Sequence, residues 1–196
     1  NGLYGLENLS LIPGTAGAAP VQNIGAYGEE ISSKLLSLEA VNTMTNEIIS
    51  FDRESCAFNY RESQFKNNND FLILSIKLQL SRIPVINTSY ESLNTYLIKD
   101  DIDPEKATPN QVCRAVSAIR ERILPDPSTE PNVGSFFKNL VLDKKSFKKL
   151  KNKLDGFPFF KDLENLTYKV PTSFLIESAG WKGKKIGNVS VSKKHA

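Results

Sequence analysis

Apolar and polar positions follow two different rhythms along this chain. From Ile31 to Val41 the apolar positions include 31, 35, 36, 38 and 41, and the alternation through 36, 38 and 40 predicts a strand. Thr45–Asn46 predicts a turn and Glu47–Phe51 a second strand, which together make a hairpin. Phe71–Leu80 (FLILSIKLQL) is the strongest strand pattern. It opens as a continuous apolar run and closes alternating, which predicts burial on both faces at one end. The helical rhythm begins at Thr108-Pro109, with Thr108 as N-cap, Pro109 as first helical residue and Gln111 in position to complete a capping box. Val112, Ala115, Val116, Ile119 and Ile123 form the apolar stripe of that helix, and Leu124-Pro125-Asp126-Pro127 ends it. Asp143–Leu154 predicts a short amphipathic helix, with Phe147, Leu150 and Leu154 on one side and lysines on the solvated face. Thr172–Ala179 predicts another, capped by Thr172 and stopped by Gly180.

The stretches between carry weaker patterns. Asn1–Leu11 reads as a short helix, and Asp52–Phe58 as one helical turn with Asp52 as its N-cap. Asn67–Asp70 is a polar turn, and Ser81–Thr108 a long irregular connection, of a length that is usually functional or disordered. Val133–Val141 reads as a strand leading from a turn, Tyr168–Pro171 as extended, and Trp181–Gly187 as a tight turn before a final strand. The pattern is that of an α+β protein, with a boundary at the proline pair that separates residues 1–124 from residues 125–196.

Composition narrows the function classes. A net charge of +3 over 196 residues argues against nucleic acid as the main partner, although lysine concentrates in the last third. No apolar run is long enough for a transmembrane helix, and no secretory signal opens the chain, so a cytoplasmic protein with no membrane partner is expected; a monomer is expected as well, though nothing in the sequence fixes the oligomeric state. Cys56 and Cys113 lie far apart, and His195 is the one histidine, so no metal site is expected and both thiols read as reduced. The start at Asn1 and the end in VSVSKKHA suggest a piece of a longer protein.

Three clusters and one loop could carry chemistry. Ile12–Gly28 holds Gly14, Gly17, Gly25 and Gly28 among four alanines, a composition whose value lies in its backbone. Such turns form nests of N–H groups that bind phosphate oxygens, and a dinucleotide pyrophosphate would fit there. A plain connection packed on its neighbours is the other reading. Tyr60-Arg61-Glu62-Ser63 precedes the core strand; Arg61 either clamps a carboxylate bidentately or pairs with Glu62 at the surface. Gly134-Ser135-Phe136-Phe137-Lys138-Asn139 presents a serine hydroxyl in a turn, with no nucleophile elbow and no histidine nearby, which disfavours a serine hydrolase. Tyr90 is either a lid aromatic or a packing residue.

Taken together, Gly5–Gly28, Cys56–Lys66, Leu124–Asn139 and Leu175–Gly187 resemble, in order, the stretches that mark the UDP-N-acetylenolpyruvoylglucosamine reductases, flavoenzymes of peptidoglycan synthesis. The resemblance implies the second half of a vanillyl-alcohol-oxidase-type FAD-binding domain over residues 1–124. An incomplete α/β substrate-binding domain would follow over residues 125–196. It implies that Ile12, Pro13, Gly14, Thr15, Ala16, Gly17, Ala18, Gln22, Asn23, Gly25, Ala26, Tyr27 and Ile73 line FAD. Tyr27, Tyr60, Arg61, Tyr90, Gly134, Ser135 and Asn139 would contact the substrate, with Arg61 holding its carboxylate and Ser135 donating a proton. NADPH would be the hydride donor, and UDP-N-acetylglucosamine enolpyruvate would become UDP-N-acetylmuramate. The chain departs from the family's pattern in lacking the early flavin loop and a C-terminal glutamate. It also has Ile123, after Arg122, where the family carries lysine. These departures keep open a non-catalytic module that binds FAD or a UDP-sugar.

Overall fold

The computed structural model describes residues 2–162 and 165–196. They form two compact units, one ending at Arg120 and the other running from Glu121 to Ala196.

The first unit opens with a single 3-10 turn, Glu7–Leu9, where a short helix was expected; Asn1 lies outside the described residues. The glycine-rich stretch follows as linked turns and leads into a two-stranded ribbon, β1 (Gly25–Ala26) and β2 (Glu29–Glu30). Its two-residue connection is Tyr27-Gly28, with φ of +48° and +84°. Positive φ at both central residues is what a type I′ turn requires, so Gly28 occupies a position that suits glycine.

The central sheet has the order β4-β3-β5, all antiparallel, from β3 (Leu35–Asn42), β4 (Ile48–Asp52) and β5 (Phe71–Leu78). The expected strand over 31–41 begins only at Leu35, because Ile31–Ser33 makes a 3-10 turn first. The β3–β4 hairpin occurs as expected. The strand at Phe71 is an edge strand with Leu72 and Leu74 exposed, not one buried on both faces. Its other face, with Phe71, Ile73, Ile76 and Leu78, packs on Leu35, Leu38, Ala40, Cys56 and Phe65. The Asp52–Phe58 stretch forms turns rather than a helical turn, yet Asp52 still caps it: its carboxylate accepts from the Ser55 N–H at 2.7 Å.

The connection expected to be irregular from Ser81 to Thr108 contains a helix, α1 (Glu91–Lys99), whose buried residues are Leu93 and Leu97. The helix α2 (Pro109–Ile123) starts as its capping box predicts. The Thr108 N–H donates to Gln111 Oε1 at 2.8 Å, and the Gln111 N–H donates to Thr108 Oγ1 at 3.3 Å. Val112, Ala115, Val116 and Ile119 are buried along one stripe, as the spacing requires.

The second unit holds a three-stranded antiparallel sheet ordered β6-β8-β7, from β6 (Leu140–Leu142), β7 (Phe160–Asp162) and β8 (Thr167–Val170). Residues 133–139, expected as strand, are irregular; only 140–142 pair. The helix α3 (Lys144–Lys151) is N-capped by Asp143, which accepts from the Ser146 N–H at 2.6 Å. Its Phe147 stacks on Tyr168 with ring centroids 4.0 Å apart, and with Phe157 and Val170 it centres the unit's core. The helix α4 (Thr172–Ser178) has Pro171, not Thr172, at its N-cap; the Thr172 hydroxyl donates to the Lys138 carbonyl instead. It ends in a Schellman motif, with the Gly180 N–H on Glu177 O and the Trp181 N–H on Ile176 O. The expected final strand is a small hairpin, β9 (Lys185–Ile186) and β10 (Val189–Ser190).

Candidate functional site

In the first unit the glycine-rich stretch is an exposed nest. Gly14, Thr15, Ala16 and Ala18 are exposed, and Gly14 has φ +117°. Ala18 N–H bonds back to Thr15 O, Ala19 to Ala16 O and Val21 to Ala18 O, which curls the chain on itself. Among the described residues, the N–H groups of Gly14, Thr15, Ala16 and Gly17 donate to no protein acceptor. Four successive open donors on an exposed, side-chain-poor turn suit an anion such as a pyrophosphate. Gly17 rests on Ile73: a Cβ there would lie 3.1 Å from the Ile73 carbonyl oxygen, so a side chain at this position would press the nest a few tenths of an ångström away from β5.

Arg61 sits at the tip of a second tight turn. Asn59 and Glu62 exchange backbone hydrogen bonds at 3.1 and 3.0 Å, leaving Tyr60 and Arg61 as the central pair. Arg61 has φ +52°, an uncommon conformation for a side-chain-bearing residue. Lys66 Nζ donates to its carbonyl at 2.8 Å and holds it there. The guanidinium stacks over the Tyr60 ring at 5.0 Å and reaches back to the ribbon. Nη2 donates to the Gly25 carbonyl at 2.5 Å, and Nη1 donates to Glu30 Oε1 at 2.9 Å and to the Asn23 carbonyl at 3.3 Å. The surface pair of Arg61 with Glu62 is not formed; Glu62 lies 3.3 Å from Lys66 Nζ.

The rings of Tyr27 and Tyr90 meet edge-to-face at 5.4 Å. Burial raises the pKa of both phenols, so both are neutral donors at neutral pH; the Arg120 guanidinium opposes the shift at Tyr27, and the Tyr60 phenol adds to it at Tyr90. Arg120, half-buried and with its own pKa lowered by burial, donates from Nε to the Leu11 carbonyl at 3.3 Å. Tyr27, Tyr60, Tyr90, Arg61 and Arg120 are thus one electrostatic neighbourhood. Beside it, an open cavity of about 450 Å³ is lined by Asn23, Glu30, Arg53, Phe58, Asn59 and Tyr60.

Several residues of this neighbourhood carried no signal in the sequence. Asn8, buried, donates to the Tyr27 and Asn87 carbonyls at 2.8 Å each, and Asn87 Nδ2 donates to Glu29 Oε1 at 3.1 Å. These bonds tie the Tyr90-bearing segment to the Tyr27-Gly28 turn. Glu30 stands opposite Gly25 only through the ribbon's register. A reading of Ala-Tyr-Gly-Glu as a two-residue hairpin turn could have found it. Asn23 is almost wholly buried, its side chain is committed to Ser32 N, Asn59 O and Glu30, and its backbone N–H donates to the Pro20 carbonyl.

In the second unit Gly134 and Ser135 lie on the exposed irregular segment, with Gly134 at φ +66° and its N–H on Asn132 Oδ1 at 3.0 Å. The side-chain oxygen of Asn139, half-buried, accepts from the Thr172 N–H at 3.1 Å, which fixes the segment's far end to α4. Arg122 is exposed and Ile123 half-buried at the end of α2. Among the described residues, no group of three His, Cys, Asp or Glu could hold a metal ion.

Residues 126–196 match the family described as UDP-N-acetylenolpyruvoylglucosamine reductase, C-terminal domain. The whole chain is 44% identical to the UDP-N-acetylenolpyruvoylglucosamine reductase of Flavobacterium johnsoniae, covering 100% of this chain and 58% of that protein. Along its whole length the chain is thus similar to UDP-N-acetylenolpyruvoylglucosamine reductases. Pseudomonas savastanoi pv. phaseolicola has a reductase of the same name that is 44% identical over 98% of this chain and 56% of that protein. The chain therefore spans little more than half the length of these reductases. The fold is shared with the crystal structure of the Thermus caldophilus UDP-N-acetylenolpyruvylglucosamine reductase (MurB), at a TM-score of 0.57 and 20% identity, over 99% of this chain and 52% of that one.

Proposed function

We propose that the full-length protein reduces UDP-N-acetylglucosamine enolpyruvate to UDP-N-acetylmuramate, with FAD as cofactor and NADPH as hydride donor. End-to-end similarity to reductases of that name carries the reading, and the chemistry of the first unit supports it. The open N–H groups of Gly14–Gly17 fit the pyrophosphate of FAD. Ile12, Pro13, Ala18, Gln22, Asn23, Gly25, Ala26, Tyr27 and Ile73 would complete this wall. When bound, FAD supplies the hydride that NADPH has given it.

The remaining work falls to this chain's residues. A carboxylate conjugated to the substrate's double bond directs hydride to the far carbon and leaves negative charge on the carbon next to the carboxylate. Arg61, planar and permanently charged, binds that carboxylate and stabilises the charge as it develops. Ser135 donates the proton that completes the saturated product, and its oxygen recovers a proton from solvent. Tyr27, Tyr60 and Tyr90 offer neutral donors and ring faces to the sugar nucleotide, and Gly134 and Asn139 shape the loop that carries Ser135. The first unit is then the flavin-binding part and the second the substrate-binding part of a cytoplasmic, monomeric enzyme of cell-wall precursor synthesis.

Separated half-reactions test this. The full-length protein should purify with a flavin absorbance band. Ser135→Ala and Arg61→Ala should leave bleaching of that band by NADPH unchanged while slowing its return on adding substrate, by on the order of 10²-fold or more. A colourless protein that takes up no FAD, or equal losses in both half-reactions, would sink the assignment.

A further inference from the structure

We propose that Glu30 is the positioning residue for Arg61: its carboxylate fixes the guanidinium in the orientation that meets the substrate's carboxylate. The inference rests on the reading of Arg61 given above.

Three observations carry it. First, Arg61 extends from a turn tip, on backbone at φ +52°, toward a ribbon thirty-odd residues earlier, and its own turn offers the guanidinium only the face of the Tyr60 ring, so the hydrogen bonds that orient it come from outside the turn. Second, Glu30 is the one carboxylate paired with it among the described residues, at 2.9 Å. Two further bonds go to the Gly25 and Asn23 carbonyls. Third, Glu30 is itself fixed. Its second oxygen accepts from Asn23 Nδ2 at 3.0 Å, and that same Nδ2 donates to Asn59 O at the base of the Arg61 turn. Asn23 Oδ1 in turn accepts from the Ser32 N–H at 3.1 Å. One carboxylate therefore joins the ribbon, the buried asparagine and the arginine turn.

The ion pair has two opposing effects. A carboxylate beside Arg61 reduces the net attraction for an anionic substrate, as both side chains are partly exposed and the pair's own stabilisation is small. It also removes rotamer freedom from a long side chain, and orientation errors of about 1 Å can cost on the order of 10²-fold in rate. Positioning and charge attenuation thus predict opposite signs when Glu30 is neutralised.

The test uses Glu30→Gln, Arg61→Lys and the double variant in the full-length protein, with three readouts: flavin bleaching by NADPH, flavin recovery on adding substrate, and the Kd of substrate for the oxidised protein by calorimetry. Glutamine presents its amide nitrogen to one of two donors, so one of the two bonds is lost. Glu30→Gln should leave bleaching unchanged, slow recovery by about 10–100-fold and weaken substrate binding. In the Arg61→Lys background the same change should cost less than about twofold, because the partner it orients is gone. If Glu30→Gln does not fold, Glu30→Asp decides. Aspartate keeps the charge but cannot span both Arg61 and Asn23, so it should also slow recovery. Recovery that is unchanged or faster in the folded variant overturns the proposal. So does an undiminished loss in the Arg61→Lys background, which would mean that Glu30 supports the ribbon generally. A normal recovery rate in Arg61→Lys alone would instead remove Arg61 from the chemistry, and the proposal with it.

Discussion

Residue by residue, the first unit's site is set by where side chains are absent. A Cβ on Gly25 would lie 2.7 Å from Arg61 Nη1, 2.7 Å from the Glu29 carbonyl and 2.8 Å from Glu30 Cγ. The Arg61 and Glu30 side chains can swing aside, but the Glu29 carbonyl is backbone, so the ribbon itself must also shift. Gly25→Ala should therefore destabilise the chain by about 1–3 kcal/mol, the usual cost of overpacking. It should also push the guanidinium off the Gly25 carbonyl. A urea midpoint checks the first effect, and the Kd for substrate in the full-length protein checks the second. An alanine variant as stable and as tightly binding as the parent would show that the close approach does not matter. Glycine-rich composition pointed to this stretch, but not to Gly25 in particular. The close approach depends on Arg61 arriving from a different turn, and no local pattern reports that. For the same reason Asn8, Asn87 and Arg120 were not legible: each acts through a partner distant in the chain. Of the two readings of Arg61, the surface pair with Glu62 does not form, and the carboxylate it meets is that of Glu30.

Among the elements, those with local determinants were read well and those with tertiary ones were not. The α2 start depends on Thr108, Pro109 and Gln111 alone, and the structure shows both capping bonds. The α3 stripe depends on a spacing internal to the twelve residues Asp143–Leu154, and Phe147 is buried as expected. By contrast, an apolar run like Phe71–Leu80 does not say whether both faces will be covered, and β5 proved to be an edge. The α1 helix was missed because only Leu93 and Leu97 mark its buried face. The α3 element also carries a prediction. Phe147 touches Phe157, Phe159 and Tyr168, and its unit spans only residues 121–196. Phe147→Ala should cost about 3–5 kcal/mol. A unit of this size is held by about 4–11 kcal/mol, so most of its stability would go. Near-ultraviolet circular dichroism and amide exchange should show loss of order in residues 140–178 while β3–β5 stays protected. Exchange protection that survives in α3 and β8 would mean that the aromatic cluster is not what holds the unit.

For the molecule as a whole, the consequential segment is the one that leads into the second unit. From Asp126 to Lys138 every residue is exposed, and no regular element occurs there. Val133 and Phe136 are 81% and 78% exposed, and the same segment carries Gly134 and Ser135. Apolar side chains held in water on a loop with a candidate proton donor suit a surface that a ligand covers. Exposed loops without ladder hydrogen bonds are also where proteases cut first. In the full-length protein chymotrypsin should therefore cleave early after Phe136 or Phe137, and trypsin after Lys138. If Ser135 and Asn139 meet the sugar nucleotide, bound substrate must shield these bonds. When cutting proceeds only through the free form, substrate at ten times its Kd should slow cleavage by about tenfold. The Arg61→Ala variant, with weakened binding, should need proportionally more substrate for the same protection. That dependence separates protection by the carboxylate-bearing ligand from a nonspecific effect of nucleotide on the protease. Cleavage at an unchanged rate under saturating substrate would place residues 136–139 outside the binding site and leave the proton donor to be sought elsewhere.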